Sequence, residues 1–150
     1  MASGQPGING TRVFFGGLLA GLVMNGIDWA TNTYWLARDW AVTMHDRNIE
    51  ALDVSGTESF IKFFALDIAF GLIAVFTYAA MRPRFGAGPT TAVAAGVSLF
   101  LFLALSNLGL QMSGFFSMDM YLKASAAELV SILAGTFAGA WLYKEREYYA

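Results

Sequence analysis

Hydrophobic residues along this chain fall into four long runs, and short polar stretches separate them. The runs cover residues 13–33, 61–81, 91–111 and 123–143. Each run has about 20 residues, which is the length that an α-helix needs to cross a hydrocarbon layer of ~30 Å. The pattern therefore predicts an all-α integral membrane protein, with four transmembrane helices in one bundle and residues 1–150 as a single domain.

A shorter helix is predicted between the first two runs, over residues 36–52. Its apolar residues Leu36, Trp40 and Met44 recur at every fourth position, while Arg38 and Asp39 fall between them. This spacing is typical of an amphipathic helix that lies along the membrane interface. The segment is too polar to cross the membrane itself.

Proline and glycine residues indicate where the long helices begin and end. Pro83 lies among basic residues, and we expect this segment to stop the second span near residue 81. Pro89 suits the first turn of the third span, where its missing N–H costs no helical hydrogen bond. Gly114 is expected to end that span.

The composition agrees with a membrane protein and excludes several functions. Of the residues, 57% are hydrophobic and 13% are charged, whereas an ordinary soluble domain has about 25% charged residues. The net charge of −2, without any basic stripe, argues against binding to nucleic acid. Because the chain has no cysteine, disulfides, thiolate zinc sites and iron–sulfur clusters are excluded.

Basic residues are more frequent on one side of the predicted bundle. Five lie near the termini or between the second and third spans: Arg12, Arg82, Arg84, Lys144 and Arg146. The other side has Arg38, Arg47 and Lys123. Since cytoplasmic loops of membrane proteins are enriched in Lys and Arg, we expect both termini to be cytoplasmic.

Two of the spans carry glycines four residues apart, Gly17 with Gly21 and Gly135 with Gly139. Such pairs allow the backbones of two helices to approach closely. They could serve packing within the bundle, or they could attach a membrane-protein partner or a second copy of the chain. We expect packing within the bundle, because four helices must pack against one another in any case.

Tryptophans lie near the ends of the spans: Trp29, Trp35, Trp40 and Trp141. Indole rings favour the level of the lipid head groups, so we predict that these side chains contact the bilayer. Stacking of a ligand on the same rings is the alternative.

Each span also carries a polar residue at a similar depth. Counting inward from the outer ends places four of them about five residues deep, or roughly 7 Å at 1.5 Å per residue: Asp28, Asp67, Asn107 and Glu128. Asn25 lies one turn below Asp28, and Lys62 lies about one turn above Asp67. The inner halves of the spans hold no ionisable residue, so the predicted polar layer opens outward.

A charged residue inside a span costs about 2.5–3.5 kcal/mol on insertion scales and is expected to face the bundle interior. If Asp28, Asp67 and Glu128 converge, they cannot all remain ionised side by side, so at least one holds a proton or they share a cation. We expect Lys62 to balance one of the charges.

Three roles are open for the polar layer. Its side chains could hydrogen-bond to one another and only hold the bundle together. They could instead bind a proton, a cation or a small polar ligand. Catalysis is the third possibility, through a metal ion that the carboxylates hold, because the layer contains no histidine and no cysteine.

The leading expectation for function is a non-enzymatic membrane protein, either an accessory subunit of a membrane complex or a binder of a small ligand or cation. The alternative is an oligomeric transporter or a proton or ion pathway. Four spans are few for an alternating-access carrier, and the inner halves offer no polar path through one chain. The sequence leaves cofactor and metal open.

The order of several residues resembles a known family. An asparagine in the first span precedes Trp29, Tyr34, Trp40 and Met44, in the order N…G…W…Y…W…M, and the last span ends with Gly139-Ala140-Trp141. These positions are similar to those of a family of small bacterial four-span membrane proteins, a domain of unknown function. The resemblance implies a bacterial cytoplasmic-membrane protein and brings no activity with it.

Overall fold

The structure, a computed structural model, describes residues 7–47, 56–115 and 117–145. These residues form five helices and the segments that connect them: α1 Gly10–Tyr34, α2 Ala37–Asp46, α3 Thr57–Phe85, α4 Pro89–Met112 and α5 Met118–Leu142. Four of the helices, α1, α3, α4 and α5, are long and apolar enough to cross a membrane. The predicted all-α membrane bundle with one additional shorter helix is confirmed.

The four long helices run alternately up and down. α1 packs between α3 and α5, and α4 packs against α5 and α3, so that α1 and α4 lie diagonally across the bundle. We call the end of the bundle where α2 lies the α2 end and the opposite end the terminal end. Large apolar side chains such as Phe102 and Leu105 project outward, as lipid-facing residues do.

Close backbone contact between α1 and α3 depends on glycine. A Cβ on Gly21 would lie 2.6 Å from the Cα of Ile68, and a Cβ on Gly17 would lie 2.7 Å from the Cα of Leu72. On the facing helix, a Cβ on Gly71 would collide with the backbones of Gly17 and Gly21. Only residues without a side chain allow the two helices to approach this closely.

The contact between α1 and α5 is built in the same way. A Cβ on Gly135 would lie 2.7 Å from the carbonyl oxygen of Ala20, and one on Gly139 would lie 2.6 Å from that of Gly16. Both glycine pairs that the sequence singled out are therefore used inside the bundle, as predicted. A partner or a second copy of the chain would have to use another face.

The middle of the bundle is filled with apolar side chains. Met24, Ala74, Leu99 and Ile132 form a buried cluster, against which Phe70, Phe100 and Leu103 pack. A second buried cluster, rich in alanine, continues toward the terminal end. The buried hydroxyl of Thr136 donates to the carbonyl oxygen of Ile132 at 2.6 Å, within its own helix, so its polarity is satisfied locally.

An arginine at the terminal end connects several chain segments. The Arg82 guanidinium lies over the rings of Tyr78 and Tyr143, at 5.8 and 5.3 Å from their centroids. Its Nε is 3.5 Å from a carboxylate oxygen of Glu145. The hydroxyl of Tyr143 accepts from the backbone N–H of Asn9 at 3.2 Å, so this cluster joins α1, α3 and the segment after α5.

Some helix ends differ from those predicted. α3 continues past Pro83 to Phe85, because a proline within the last turn removes only one helical hydrogen bond. The helix ends instead at Gly86, whose φ of 83° favours glycine. α2 ends at Asp46 rather than at residue 52, and residues 48–52 lie outside the described residues. The predicted position of Pro89 in the first turn of α4 and the predicted break at Gly114, with φ 75°, are confirmed.

Candidate functional site

Polar side chains from all four long helices meet in the half of the bundle nearer the α2 end. We call this group the polar cluster, and its members are Asn25, Asp28, Asp67, Asn107, Glu128 and Ser131. The sequence predicted that five of them would meet, and the structure brings these five together. Ser131 is an addition.

The contact between α1 and α3 in the cluster is a short hydrogen bond. The side-chain amide of Asn25 donates to Oδ2 of Asp67 at 2.8 Å. Asp67 is only 7% exposed. The close approach at Gly21 makes this bond possible, since a Cβ there would lie 2.8 Å from the Asp67 carbonyl oxygen and would push the helices apart. The glycine packing thus determines the geometry of this part of the cluster.

Asp28 occupies the centre of the cluster. It interacts electrostatically with Asp67 on α3 and with Glu128 on α5, and the Ser131 side chain lies within its hydrogen-bonding reach. Ser131 is only 1% exposed. Its hydroxyl lies 3.3 Å from the carbonyl oxygen of Met24, to which it can donate. A hydroxyl has one hydrogen to donate. That hydrogen can go to the Met24 carbonyl oxygen or to the Asp28 carboxyl, so Ser131 is a neutral hydroxyl partner of Asp28.

Glu128 completes the cluster from α5. The Asn107 side chain on α4 lies beside its carboxyl and can interact with it by hydrogen bonding. Each carboxyl of the cluster thus has one neutral polar partner from a neighbouring helix. Beneath the cluster lies the apolar group around Met24 and Ile132, which separates it from the terminal end.

Lys62 does not balance the cluster, and that expectation was wrong. Its Nζ lies 2.6 Å from Oε1 of Glu58, and the side chain is 69% exposed. The physical reason is helical geometry: a separation of five residues rotates Lys62 by about 140° from Asp67 around α3. The two side chains therefore leave the helix in different directions.

The nearest lysine on α5 is also engaged elsewhere. Lys123 pairs with Asp39 on α2 at 3.1 Å and with Asp119 on its own helix at 2.6 Å. Within the described ranges, the ion pairs of the protein include no basic partner for Asp28, Asp67 or Glu128. The cluster therefore has three carboxyls and no basic side chain paired with them.

The carboxyls interact with one another without forming a metal-ligand set. In the part of the chain that the structure describes, no three His, Asp or Glu side chains are placed so that they could hold one metal ion. The metal-assisted catalysis considered from the sequence would need such a ligand group, and the described residues contain none.

Sequence reasoning missed two serines on α5. Ser131 and Ser125 lie three residues after and three residues before Glu128, a spacing that keeps all three on neighbouring parts of one helix face. The Ser125 hydroxyl oxygen is buried and has no hydrogen-bond partner among the described residues. Spacing around Glu128 could have indicated both, although serine alone is too common in helices to stand out.

The four tryptophans differ in their surroundings. Trp29, Trp35 and Trp141 project away from the bundle, which suits contact with lipid. Trp40 differs, because its indole N–H donates to Oδ1 of Asn32 at 2.7 Å. This hydrogen bond connects α2 to α1 one turn beyond Asp28.

Comparison of the chain with protein-family models, curated proteins and solved structures finds no match. The resemblance to the bacterial four-span family stays a prediction.

Proposed function

We propose that this integral membrane protein is non-enzymatic and binds a small cation in the polar cluster. The observation that supports the proposal is the presence of three carboxyls, on three different helices, whose described partners are amides and a hydroxyl rather than lysine or arginine. In an environment of low dielectric constant, a proton or a bound cation must offset this charge.

The geometry favours a singly charged ligand over a divalent metal ion. Calcium takes six to eight oxygen ligands and usually several carboxylates, and magnesium requires near-octahedral coordination. Within the described residues no three acidic side chains are arranged for such coordination. A proton, an alkali cation or an ammonium group carries a single charge and needs fewer carboxylates, and the amide and hydroxyl oxygens of Asn25, Asn107 and Ser131 can supplement the carboxyls.

Other functions receive less support. The glycine pairs that could have attached a partner subunit are used inside the bundle, between α1 and its neighbours. Conduction through one chain would require a polar path, whereas apolar side chains fill the space beneath the cluster. The accessory-subunit and transporter alternatives would therefore require surfaces or oligomers for which the described residues offer no specific observation.

The basic residues favour cytoplasmic termini, and the resemblance favours a bacterial cytoplasmic membrane; both are part of this proposal. In that orientation the polar cluster lies in the outer half of the membrane. Because the chain has no native cysteine, introduced cysteines test the orientation directly. In cells, Asp46→Cys should react with a membrane-impermeant thiol reagent and Gly86→Cys should not; the reverse labelling would overturn the orientation.

The binding proposal is tested by thermal unfolding in detergent, with sodium, potassium, ammonium and methylammonium chloride compared at constant ionic strength. A ligand that binds only the folded state at 100 times its Kd adds about 2.7 kcal/mol to stability. We expect one of these cations to raise the melting temperature of the wild type. Asp28→Asn and Glu128→Gln should abolish that increase.

Asp46→Asn is the matched control, because Asp46 is an exposed carboxylate on α2 outside the cluster. It should keep the cation-dependent increase. If no cation stabilises the wild type, or if the cluster variants respond as strongly as Asp46→Asn does, the cluster is not a cation site.

A further inference from the structure

α2 contacts the ends of helices that carry members of the polar cluster. It begins where α1 ends, and it contacts α5 at Lys123 and the segment after α4 at Gly114. These two contact points lie five residues beyond Glu128 and seven residues beyond Asn107 toward the α2 end. The short helix therefore lies at the end of the bundle nearer the polar cluster, against α5 and the turn after α4.

Polar contacts hold α2 in this position. The indole N–H of Trp40 donates to Asn32, and the carboxylate of Asp39 accepts from Lys123 at 3.1 Å. The Arg47 guanidinium donates to the carbonyl oxygen of Gly114 and lies 5.7 Å from the centroid of the Phe115 ring. These contacts connect α2 to α1, to α5 and to the segment between α4 and α5.

α2 is attached to the bundle without being part of its core. None of its residues is buried, whereas every one of the four long helices buries at least six. The buried side chain that fixes its start is Leu36, which is 2% exposed and lies just before the helix. Movement of α2 about Leu36 would therefore break surface contacts and leave the packing of the four long helices intact.

We propose that α2 is a lid that controls access to the polar cluster, and that the ion pair between Asp39 and Lys123 is its latch. The proposal rests on the proposed function only in taking the cluster as the place to which access matters. Lys123 also pairs with Asp119 at 2.6 Å on its own helix. When the lid opens, Lys123 keeps that partner, so the latch opens at a lower cost than an ion pair without a second acceptor.

The test measures access to the cluster without using any ligand. Ser125→Cys places a single thiol beside Glu128, at a position whose native hydroxyl oxygen is buried. The rate of its reaction with a charged methanethiosulfonate reagent, in detergent, reports how often the lid is open. Asp39→Asn in this background weakens the latch, and Asp119→Asn is the matched control, since it removes the other acceptor of Lys123 and leaves the contact with α2.

Partly exposed ion pairs have small energies, so we expect Asp39→Asn to speed labelling by about 1.5- to 5-fold. The combination of Asp39→Asn, Trp40→Phe and Arg47→Gln should give about 10-fold or more. Asp119→Asn should label no faster than the parent, because Lys123 then has Asp39 as its acceptor and the latch costs more to open. If Asp39→Asn, the triple variant and Asp119→Asn all label at the same rate, the proposal that α2 is a lid is refuted.

Two further variants keep the result interpretable. Thr136→Cys, in the fully buried middle of α5, should stay unreactive in every background. If it reacts as fast as Ser125→Cys does, the whole bundle has loosened and the lid is refuted. If Ser125→Cys does not fold, Ser131→Cys takes its place. Because no cation enters this experiment, a lid that opens as expected without any cation-dependent stabilisation refutes the proposed ligand and leaves the lid standing.

Discussion

The substitution Gly21→Ala tests whether helix packing determines the geometry of the polar cluster. A Cβ at this position would lie 2.6 Å from the Cα of Ile68, whereas ordinary contacts begin at 3.4 Å. Backbone atoms cannot rotate away as a side chain can, so α1 and α3 must separate locally by about 0.8 Å, the difference between these two distances. The hydrogen bond of 2.8 Å between Asn25 and Asp67, one turn along α1, would then lengthen beyond 3.5 Å.

The expected loss of stability has two parts. Overpacking of a well-packed interface costs about 1–3 kcal/mol, and an interhelical hydrogen bond in a membrane protein contributes about 0.6 kcal/mol on average. A protein of this size loses roughly 2–4 °C in melting temperature per kcal/mol. Thermal unfolding in detergent should therefore show Gly21→Ala melting about 5–10 °C below the wild type, with the cation-dependent increase strongly reduced.

Gly26→Ala is the matched control, because it lies on the same helix and a Cβ there would meet nothing within 4 Å. It should be neutral or slightly stabilising, since alanine favours helix more than glycine does. The double variant Gly21→Ala/Asn25→Leu should lose less than the sum of the two single losses, because the hydrogen bond is already broken. The reasoning fails if Gly21→Ala has the same melting temperature as Gly26→Ala. It also fails if the stability loss of the double variant equals the sum of the two single losses, because the packing then does not determine the cluster geometry.

Three further predictions concern individual side chains, each measured by thermal unfolding in detergent. Asp67→Asn keeps an acceptor for Asn25 and should melt close to the wild type, while Asp67→Leu should cost about 1–3 kcal/mol because it leaves a buried amide unpaired. The reverse order would show that charge, rather than the hydrogen bond, decides stability at this position. Lys62→Met should change stability by less than about 0.5 kcal/mol, since the ion pair of Lys62 is exposed. A larger loss would indicate that Lys62 interacts with the carboxyls of the cluster after all. Arg82→Met should cost about 1–2 kcal/mol by losing two aromatic contacts and an ion pair, whereas the exposed Arg84→Met should be neutral, and equal melting temperatures would contradict this interpretation.

The polar cluster shows how much of a site can be read from helix depth alone. Asp28, Asp67, Asn107 and Glu128 were expected at one level because each lies about five residues from the same end of its span. Depth fixes one coordinate, and burial of polar groups away from lipid fixes the direction toward the interior. Depth could not show which carboxyl would lie beside which amide, since that depends on which helices are neighbours.

Lys62 shows where the argument from depth fails. It is close to Asp67 along the helix axis, yet it points to a different side of α3 and pairs with Glu58. Ser131 shows the converse, because its small hydroxyl carries no signal in a hydropathy profile, although it lies deep in the cluster. Rotation about the helix axis, together with depth, determines which residues belong to the site.

The sequence by itself determined the four membrane spans, the additional short helix, the place of Pro89 in the first turn of α4 and the break at Gly114. These features follow from local properties: the free energy of moving each side chain into lipid, and the backbone preferences of proline and glycine. The free energy of membrane insertion is approximately a sum over the residues of a segment, so a hydropathy profile is sufficient to locate each span.

Only the tertiary structure decided that α1 packs between α3 and α5, that both glycine pairs serve this packing, and that α2 contacts α5 and the turn after α4. All four long helices are apolar enough to cross a membrane, and the mean hydropathy of a helix does not indicate which other helix it packs against. Their arrangement depends instead on the fit of small residues against facing backbones and on a few hydrogen bonds such as that between Asn25 and Asp67. These contacts join residues far apart in the chain, and their energies exist only once the helices have come together.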